Sequence, residues 1–294
     1  MPPAAGNRNV LVTGAGGPSG MAAIAALKVK GFVVIAVDMR EVAHAADAFI
    51  KVPAARDPGY LPVLREIMLQ RRVTWLMPTV SEELVLIARA APQLRRDGIA
   101  TYIGEAEAVR ICDDKWDTAC ALKSAGIAVP AGAVGDANSL AVRALGFPLV
   151  SRPRVGRGGR DVVVHDRPGL AALAADPVWQ AFMPGTEYDV LMVAHPDAPH
   201  EIVASQVFEK TVLKEGRVGN ALELVPAEAA DVAQLARDAA RALHLCGPMD
   251  MDIRRDPQGG PRLLEINARI GAHTLKAPAI FDALAGFFER GHLG

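Results

Sequence analysis

Two alternating apolar and polar runs, Met249 to Arg254 and Arg262 to Arg269, flank the turn signal Pro257-Gln258-Gly259-Gly260. Alternation on both sides of such a turn predicts a β-hairpin. With the turn centred between Gln258 and Gly259, Asp252 lies opposite Glu265 and Asp250 opposite Asn267. Opposed residues share a sheet face, as do residues two apart along a strand. Three carboxylates and an amide then project together and repel one another unless a cation joins them. Mg²⁺ suits that donor set, because it is a hard cation that takes oxygen ligands together with substrate phosphates. Arg269, two residues beyond Asn267, falls on the same face and can meet those phosphates. The plainer reading is an acidic, solvated hairpin face, and a slip of one residue would turn the acids away from each other.

A second stretch also points to phosphate. Between apolar runs at residues 147–150 and 162–164 lies Ser151-Arg152-Pro153-Arg154-Val155-Gly156-Arg157-Gly158-Gly159-Arg160-Asp161. Flexible backbone amides combined with guanidinium groups grip polyphosphate. No Gly-Lys-Ser/Thr follows, so this is not a Walker loop. The alternative is a basic hairpin tip, although a glycine-arginine tip between buried strands has little packing purpose.

A third stretch is Gly14-Ala15-Gly16-Gly17-Pro18-Ser19-Gly20, between the strand Asn9-Val10-Leu11-Val12-Thr13 and a helix expected over residues 21–30. A strand at residues 32–37 then ends in Asp38. Such a glycine-rich βαβ turn binds anions at the helix N-terminus, and Asp38 stands where a dinucleotide site keeps its ribose acid. NAD(P) binding by an oxidoreductase is one reading; a tight turn in a Rossmann-like domain holding another ligand, or none, is the other.

The elements that must position these residues follow from periodicity. A helix is expected over residues 59–70 and strands over 74–77 and 99–103, which with the first βαβ unit make a doubly wound parallel sheet. Ligands bind beyond the strand C-termini of such sheets. That places Gly16, Gly17, Thr79, Ser81 and Glu82 as candidates for a polar substrate. Ser81 is also a candidate N-cap for a helix carrying Glu82 and Glu83 in its first turn. Residues 113–126 read as one capped helix stopped by Gly126, and Asn138 as the cap of the next. Strands are expected over 188–194, 201–208 and 218–225, helices over 227–243 and 278–288. His244 reads as a charge partner for a helix C-terminus.

The chain has 294 residues with 51% hydrophobic and 22% charged composition and a net charge of −1, a balance that argues against nucleic-acid or anionic-membrane partners. No apolar run approaches the roughly 20 residues of a membrane helix. The first nine residues lack a signal-peptide pattern. Cys112, Cys120 and Cys246 are odd in number and lack metal-like spacing, as expected of reduced thiols in a cytoplasmic protein.

With the arginine-glycine loop and the terminal hairpin together, the chain resembles the ATP-grasp superfamily, and most closely its carbamoyl-phosphate-synthase-like branch. The likeness extends over essentially the whole chain. It implies an N-terminal Rossmann-like pre-ATP-grasp domain (1–110), a small lobe or lid (111–182) and a large lobe (183–294), an α/β chain whose two α+β lobes clamp ATP.

The resemblance also implies roles. Lys115, after Asp113-Asp114, takes a position of nucleotide-phosphate contact, and Arg152 takes the Lys/Arg position before the glycine-rich loop. Gly158 and Gly159 match the loop over the phosphates. Phe182-Met183-Pro184-Gly185-Thr186-Glu187 resembles the adenine hinge, with Glu187 as ribose acid. Lys210 and Lys214 match basic positions. Asp252, Glu265 and Asn267 match the metal set, and Arg269 matches the arginine at the transferring phosphoryl group. His273 and Lys276, in the polar loop just beyond, are substrate candidates.

Ala181, Ala268 and Phe208 depart from the family pattern. The first stands where a hinge acid is common, the second replaces a proline, and the third replaces a basic residue. The implied cofactors are ATP and Mg²⁺, with Mn²⁺ as a substitute. The implied reaction activates a small-molecule carboxylate as an acyl phosphate for attack by an amine. A non-catalytic ATP-binding module is the remaining alternative, and a homodimer is the commonest assembly for such enzymes. One ATP-grasp unit, where the full synthase has two, argues against complete carbamoyl-phosphate synthesis.

Overall fold

The structure, a computed structural model, describes residues 7–156, 158–169, 172 and 174–294. Arg157 of the arginine-glycine loop lies outside the described residues.

The first unit alternates strand and helix. In order come β1 (Asn9–Val12), α1 (Pro18–Val29), β2 (Val33–Asp38), β3 (Ala48–Lys51), α2 (Tyr60–Gln70), β4 (Trp75–Met77) and α3 (Leu84–Arg96). The strands are parallel in the order β3-β2-β1-β4. Side chains alternate across each strand, so Leu11, Ile35 and Leu76 pack on α2 and α3 while Val10, Val12 and Val34 pack on α1. All four C-terminal ends therefore open toward one edge, where the glycine-rich turn, Asp38 and Thr79 sit. The strand expected over residues 99–103 forms just one bridge, Trp75 with Ala100. The C-terminal tail takes its place as partner: Thr101 N–H donates to Leu293 O at 2.8 Å and the Tyr102 hydroxyl to His292 O at 2.9 Å.

The second unit opens with two helices where one was expected, α4 (Ala106–Asp113) and α5 (Lys115–Ser124). Asp114 breaks them, because its carboxylate accepts from the amides of Trp116 (2.8 Å) and Asp117 (3.1 Å) and so caps α5. Then come β5 (Gly132–Val134), α6 (Leu140–Arg143), β6 (Leu149–Pro153), β7 (Val163–His165) and β8 (Pro177–Ala181), an antiparallel sheet in the order β5-β8-β6-β7. Ser139, not Asn138, caps α6, accepting from Val142 N–H at 3.3 Å.

The third unit holds β9 (Glu187–His195), β10 (Ala198–Leu213), β11 (Ala221–Pro226), α7 (Ala230–Ala242), β12 (Gly247–Arg255), β13 (Pro261–Asn267) and α8 (Pro278–Glu289). The sheet order is β11-β10-β9-β12-β13. One face packs Val190, Met192, Met251 and Ile253 on α7. The other packs Leu191, Val193 and Phe208 toward α8, and Phe208, buried in that core, does not line the cleft described below. Beyond this apolar half the same face turns polar.

The β12–β13 register puts Asp252 opposite Glu265 and Asp250 opposite Asn267, as the sequence implies. The hairpin tip follows a different alignment, with Ile253 opposite Leu263 and Arg255 opposite Pro261. Leu264 is the extra residue that reconciles the two. Continued without it, the tip alignment would set Leu264 against Asp252 and turn Glu265 to the far face.

Candidate active site

A cleft of about 840 Å³ separates the β5–β8 sheet from the polar half of the β9–β13 sheet. It is lined by nine of the expected residues: Lys115, Arg152, Gly158, Gly159, Phe182, Glu187, Lys210, Asp252 and Glu265.

The floor is an array of buried opposite charges. Glu265 faces Lys115 Nζ at 3.4 Å and Arg152 Nη1 at 3.8 Å. Burial depresses the pKa of both cations, and Glu265 works in the other direction. Lys115 also donates to Gly156 O at 3.0 Å, and Arg152 Nη2 to Leu264 O at 2.6 Å. The bulge residue thus anchors the arginine. Arg152 Nε is buried and has no hydrogen-bond partner among the described residues. A buried guanidinium N–H without an acceptor is costly, and a phosphate oxygen would satisfy it.

Lys210 Nζ bonds both Glu187 Oε1 (2.9 Å) and Asp252 Oδ1. Burial opposes its charge, but Asp252, Glu187 and Asp189 outweigh it and hold the ammonium well above its usual pKa. Glu187 also meets Arg254 Nη1 at 3.3 Å.

The Phe182 ring is in cation–π contact with the guanidinium groups of Arg217 (4.5 Å) and Arg254 (4.8 Å). Above the cleft Gly158 and Gly159 both take left-handed φ, 65° and 68°, as a tight amide-rich turn requires.

The row continues across the sheet. Asp189 lies opposite Asp252 on β9, and oxygens of Asp189, Asp250 and Asp252 fall within 4.8 Å of one another. Burial, then the charges of Asp189 and Asp252, push the Asp250 carboxyl well above the ordinary range. Strand alternation from Glu187 carries the sequence signal for Asp189.

Other expected residues fall elsewhere. Asn267 lines a crevice beside Glu265, and its Oδ1 accepts from Arg269 Nη2 at 3.2 Å. Arg269 also donates to Ile270 O (2.7 Å) and Ser81 Oγ (3.1 Å). Ser81 therefore binds an arginine instead of capping a helix; the segment Ser81–Glu83 is a 3-10 turn with no side-chain cap. Glu83 is fully buried, not spread along a helix dipole. It accepts from the hydroxyls of Thr13 and Tyr60 and from the amides of Thr79 (3.1 Å) and Val80 (3.0 Å). Lys214 is exposed in the turn between β10 and β11 and does not line the cleft. Lys276 is exposed, while His273 bonds Asp189 Oδ2 through Nδ1 at 2.8 Å.

A second cavity of about 1160 Å³ opens at the strand ends of the first unit and contains Gly16, Gly17, Thr79 and Glu82. Asp38, Arg40 and Tyr60 add to its wall, and Arg269 closes it toward the sheet. Arg160 lines both cavities, so the glycine-rich turn spans the space between them.

The Asp252 and Glu265 carboxylates, facing each other with the Asn267 amide one row along, are hard oxygen donors of the kind Mg²⁺ takes, and Lys115 and Arg152 stand beside Glu265.

The ATP-grasp domain family model matches residues 112–273, more than half of the chain. The chain belongs to the ATP-grasp family. A second model, described as PylC-like, N-terminal domain, matches residues 10–103. No curated protein matches the chain. Among solved structures, this ATP-grasp protein is similar to an L-amino acid ligase from Bacillus licheniformis, at 18% identity and a TM-score of 0.72, covering 92% of this chain and 69% of that one. It is similar to a biotin carboxylase from Campylobacter jejuni, crystallised with βγ-ATP, at 14% identity and TM-score 0.71, covering 98% and 71%. It is also similar to an N5-carboxyaminoimidazole synthetase from Staphylococcus aureus, complexed with ADP, at 16% identity and TM-score 0.70, covering 92% and 73%. At these identities the likeness is one of fold.

Proposed function

We propose that this ATP-grasp protein is an ATP- and Mg²⁺-dependent ligase that activates a carboxylate as an acyl phosphate for attack by an amine. The observation that carries the proposal is the opposed Asp252–Glu265 pair beneath Lys115 and Arg152, in a cleft that shares Arg160 with a second cavity. Asp252, Glu265 and Asn267 would hold Mg²⁺, which supplies charge neutralisation between the ATP phosphates. Lys115, Arg152 and the amides around Gly158 and Gly159 orient those phosphates. Phe182 and its neighbours hold adenine, and Glu187 and Lys210 form the wall beside the ribose. Arg269 reaches the transferring phosphoryl group from the side of the second cavity. Positioning and electrostatics do most of the work in such a transfer. The lid formed by the glycine-rich turn keeps water from the acyl phosphate.

The second cavity supports a carboxylate larger than bicarbonate. Its wall carries both signs, Asp38 and Glu82 against Arg40 and Arg269, which suits an acid with further polar groups such as an amino acid. An L-amino acid ligase is among the proteins of similar fold. The nicotinamide reading has less support, because Asp38 already accepts from the amides of Gly16 (3.0 Å) and Arg40 (3.1 Å). A screen of amino acids and other small carboxylates for Mg²⁺-dependent ADP release, each paired with amines, tests the proposal. ADP release that no carboxylate stimulates would contradict it.

A further inference from the structure

Beside the proposed metal ligands stands an imidazole held from behind by a buried carboxylate. Asp189 is 2% exposed, and its Oδ2 lies 2.8 Å from His273 Nδ1. A carboxylate only accepts, so Nδ1 carries the hydrogen and, in the neutral ring, Nε2 keeps the lone pair. The loop that carries His273 is fixed at both ends. Gly271 passes so close to Asp250 that a Cβ there would fall 1.9 Å from Oδ2, so no other residue fits without displacing that carboxylate. Thr274 Oγ1 bonds Gly271 O at 2.9 Å, and Lys276 N–H bonds His273 O at 2.8 Å. The His273 side chain nevertheless keeps 23% of its surface open.

The position matters as much as the pairing. Asp189 is the cross-strand neighbour of Asp252, so His273 stands one carboxylate away from the proposed metal ligand. Arg269 begins the same loop. The charged groups of the surrounding elements are Asp189 from β9, which touches the ring, Asp250 and Asp252 from β12 beside it, Arg269 from the loop, 3.9 Å from Asp250, and the exposed Lys276 three residues on.

Resting on the ligase reading above, we infer that His273, oriented by Asp189, is the base that prepares the acceptor amine. An alkyl amine is an ammonium ion at neutral pH and has no lone pair to offer. His273 Nε2 takes one proton from it. The freed nitrogen attacks the acyl carbon, the N–C bond forms, and the C–O bond to phosphorus breaks. The departing phosphate takes the electron pair and the second nitrogen proton, leaving an amide, and the imidazolium returns its proton to solvent. A carboxylate behind the ring fixes the tautomer and stabilises the charge that forms.

Hydroxylamine separates this role from a structural one, because it is already largely unprotonated at neutral pH and needs no base. The full-length protein is given ATP, Mg²⁺ and the twenty proteinogenic L-amino acids, with hydroxylamine or with the amino acids themselves as nucleophile. His273→Gln should keep hydroxamate formation within a few-fold while losing about 100-fold or more of amide formation. The loss should shrink as the pH is raised, and the melting temperature should stay near that of the wild type. A parallel fall of hydroxamate and amide, or a fall in neither, would overturn the inference. Nitrogen NMR of the labelled wild type gives a reading that needs no substrate. The Nδ1–H tautomer is expected for His273 and should be lost in Asp189→Asn; an Nε2–H tautomer would sink the dyad. A wild type that forms no hydroxamate with any acid counts against the ligase reading instead, and the tautomer then decides the dyad alone.

Discussion

Glu265 shows how tightly single residues are held in this site. Its carboxylate faces Asp252 across the hairpin, with Lys115 and Arg152 on its other side. Replacing it by Gln keeps the shape and removes the charge that the two cations and a metal would share. We expect Glu265→Gln to lower ATP turnover by about 100- to 1000-fold, the usual loss when a preorganised electrostatic group is removed, with little change in thermal melting. ADP release near the wild-type rate would sink the metal assignment. At this scale much was legible in the sequence. Asp252 and Glu265 announce themselves by type and spacing, and Lys115 only through the family resemblance. Glu83 does not, because a glutamate in a first helical turn reads as a dipole partner; its burial depends on Thr13 and Tyr60 arriving from distant segments. Asn267 was placed on the right face, but its contact with Arg269 is set by side-chain rotation that no spacing predicts.

Among the elements, α5 and the Gly158–Gly159 turn set the two sides of the proposed phosphate position. Asp114 caps α5 and so fixes Lys115 at its first turn. Burial raises the Asp114 pKa, but the hydrogen bond from Arg154 and those from the Asp117 and Trp116 amides outweigh it, so its pKa lies below the usual 3.8. A carboxylate with a depressed folded-state pKa contributes stability at pH values above its unfolded value. That contribution is lost as the pH falls through the folded value. Asp114→Ala should therefore cost about 1 kcal/mol at neutral pH, and the gap to the wild type in denaturant melts should narrow as the pH drops below 3.8. In the turn, Gly159 holds a φ of 68° and packs so that an added Cβ would lie 3.1 Å from Gly219. A left-handed non-glycine residue costs roughly 1–2 kcal/mol, so Gly159→Ala should weaken ATP binding by about 5- to 30-fold in titration calorimetry. The hairpin itself was read correctly from alternation, yet the bulge at Leu264 was not. The sequence marks no extra residue there; the bulge exists because the tip closes in one register and the Asp252–Glu265 pairing requires another.

Across the whole molecule, one of the polar contacts that link the first unit to the third is Ser81 Oγ accepting from Arg269 Nε at 3.1 Å. It ties the edge where the second cavity opens to the arginine proposed for the phosphoryl group. Ser81→Ala should lower kcat about tenfold, the worth of a hydrogen bond to a charged group, while the melting temperature changes little. The parallel βα alternation of the first unit is legible as periodicity, whereas the division of the rest into two lobes rests on the family resemblance. What joins the parts is not legible, since contacts such as Ser81–Arg269 and Thr101–Leu293 cross 188 and 192 positions of sequence and leave no local pattern. The proposed ligase holds nucleotide in the cleft between the second and third units, with the glycine-rich turn of the first unit serving another ligand. Calorimetric titration with ATP and with NADH, each with and without Mg²⁺, separates the two sites. ATP binding that tightens with Mg²⁺ is expected, with no NADH binding; NADH binding without ATP binding would contradict the ligase reading.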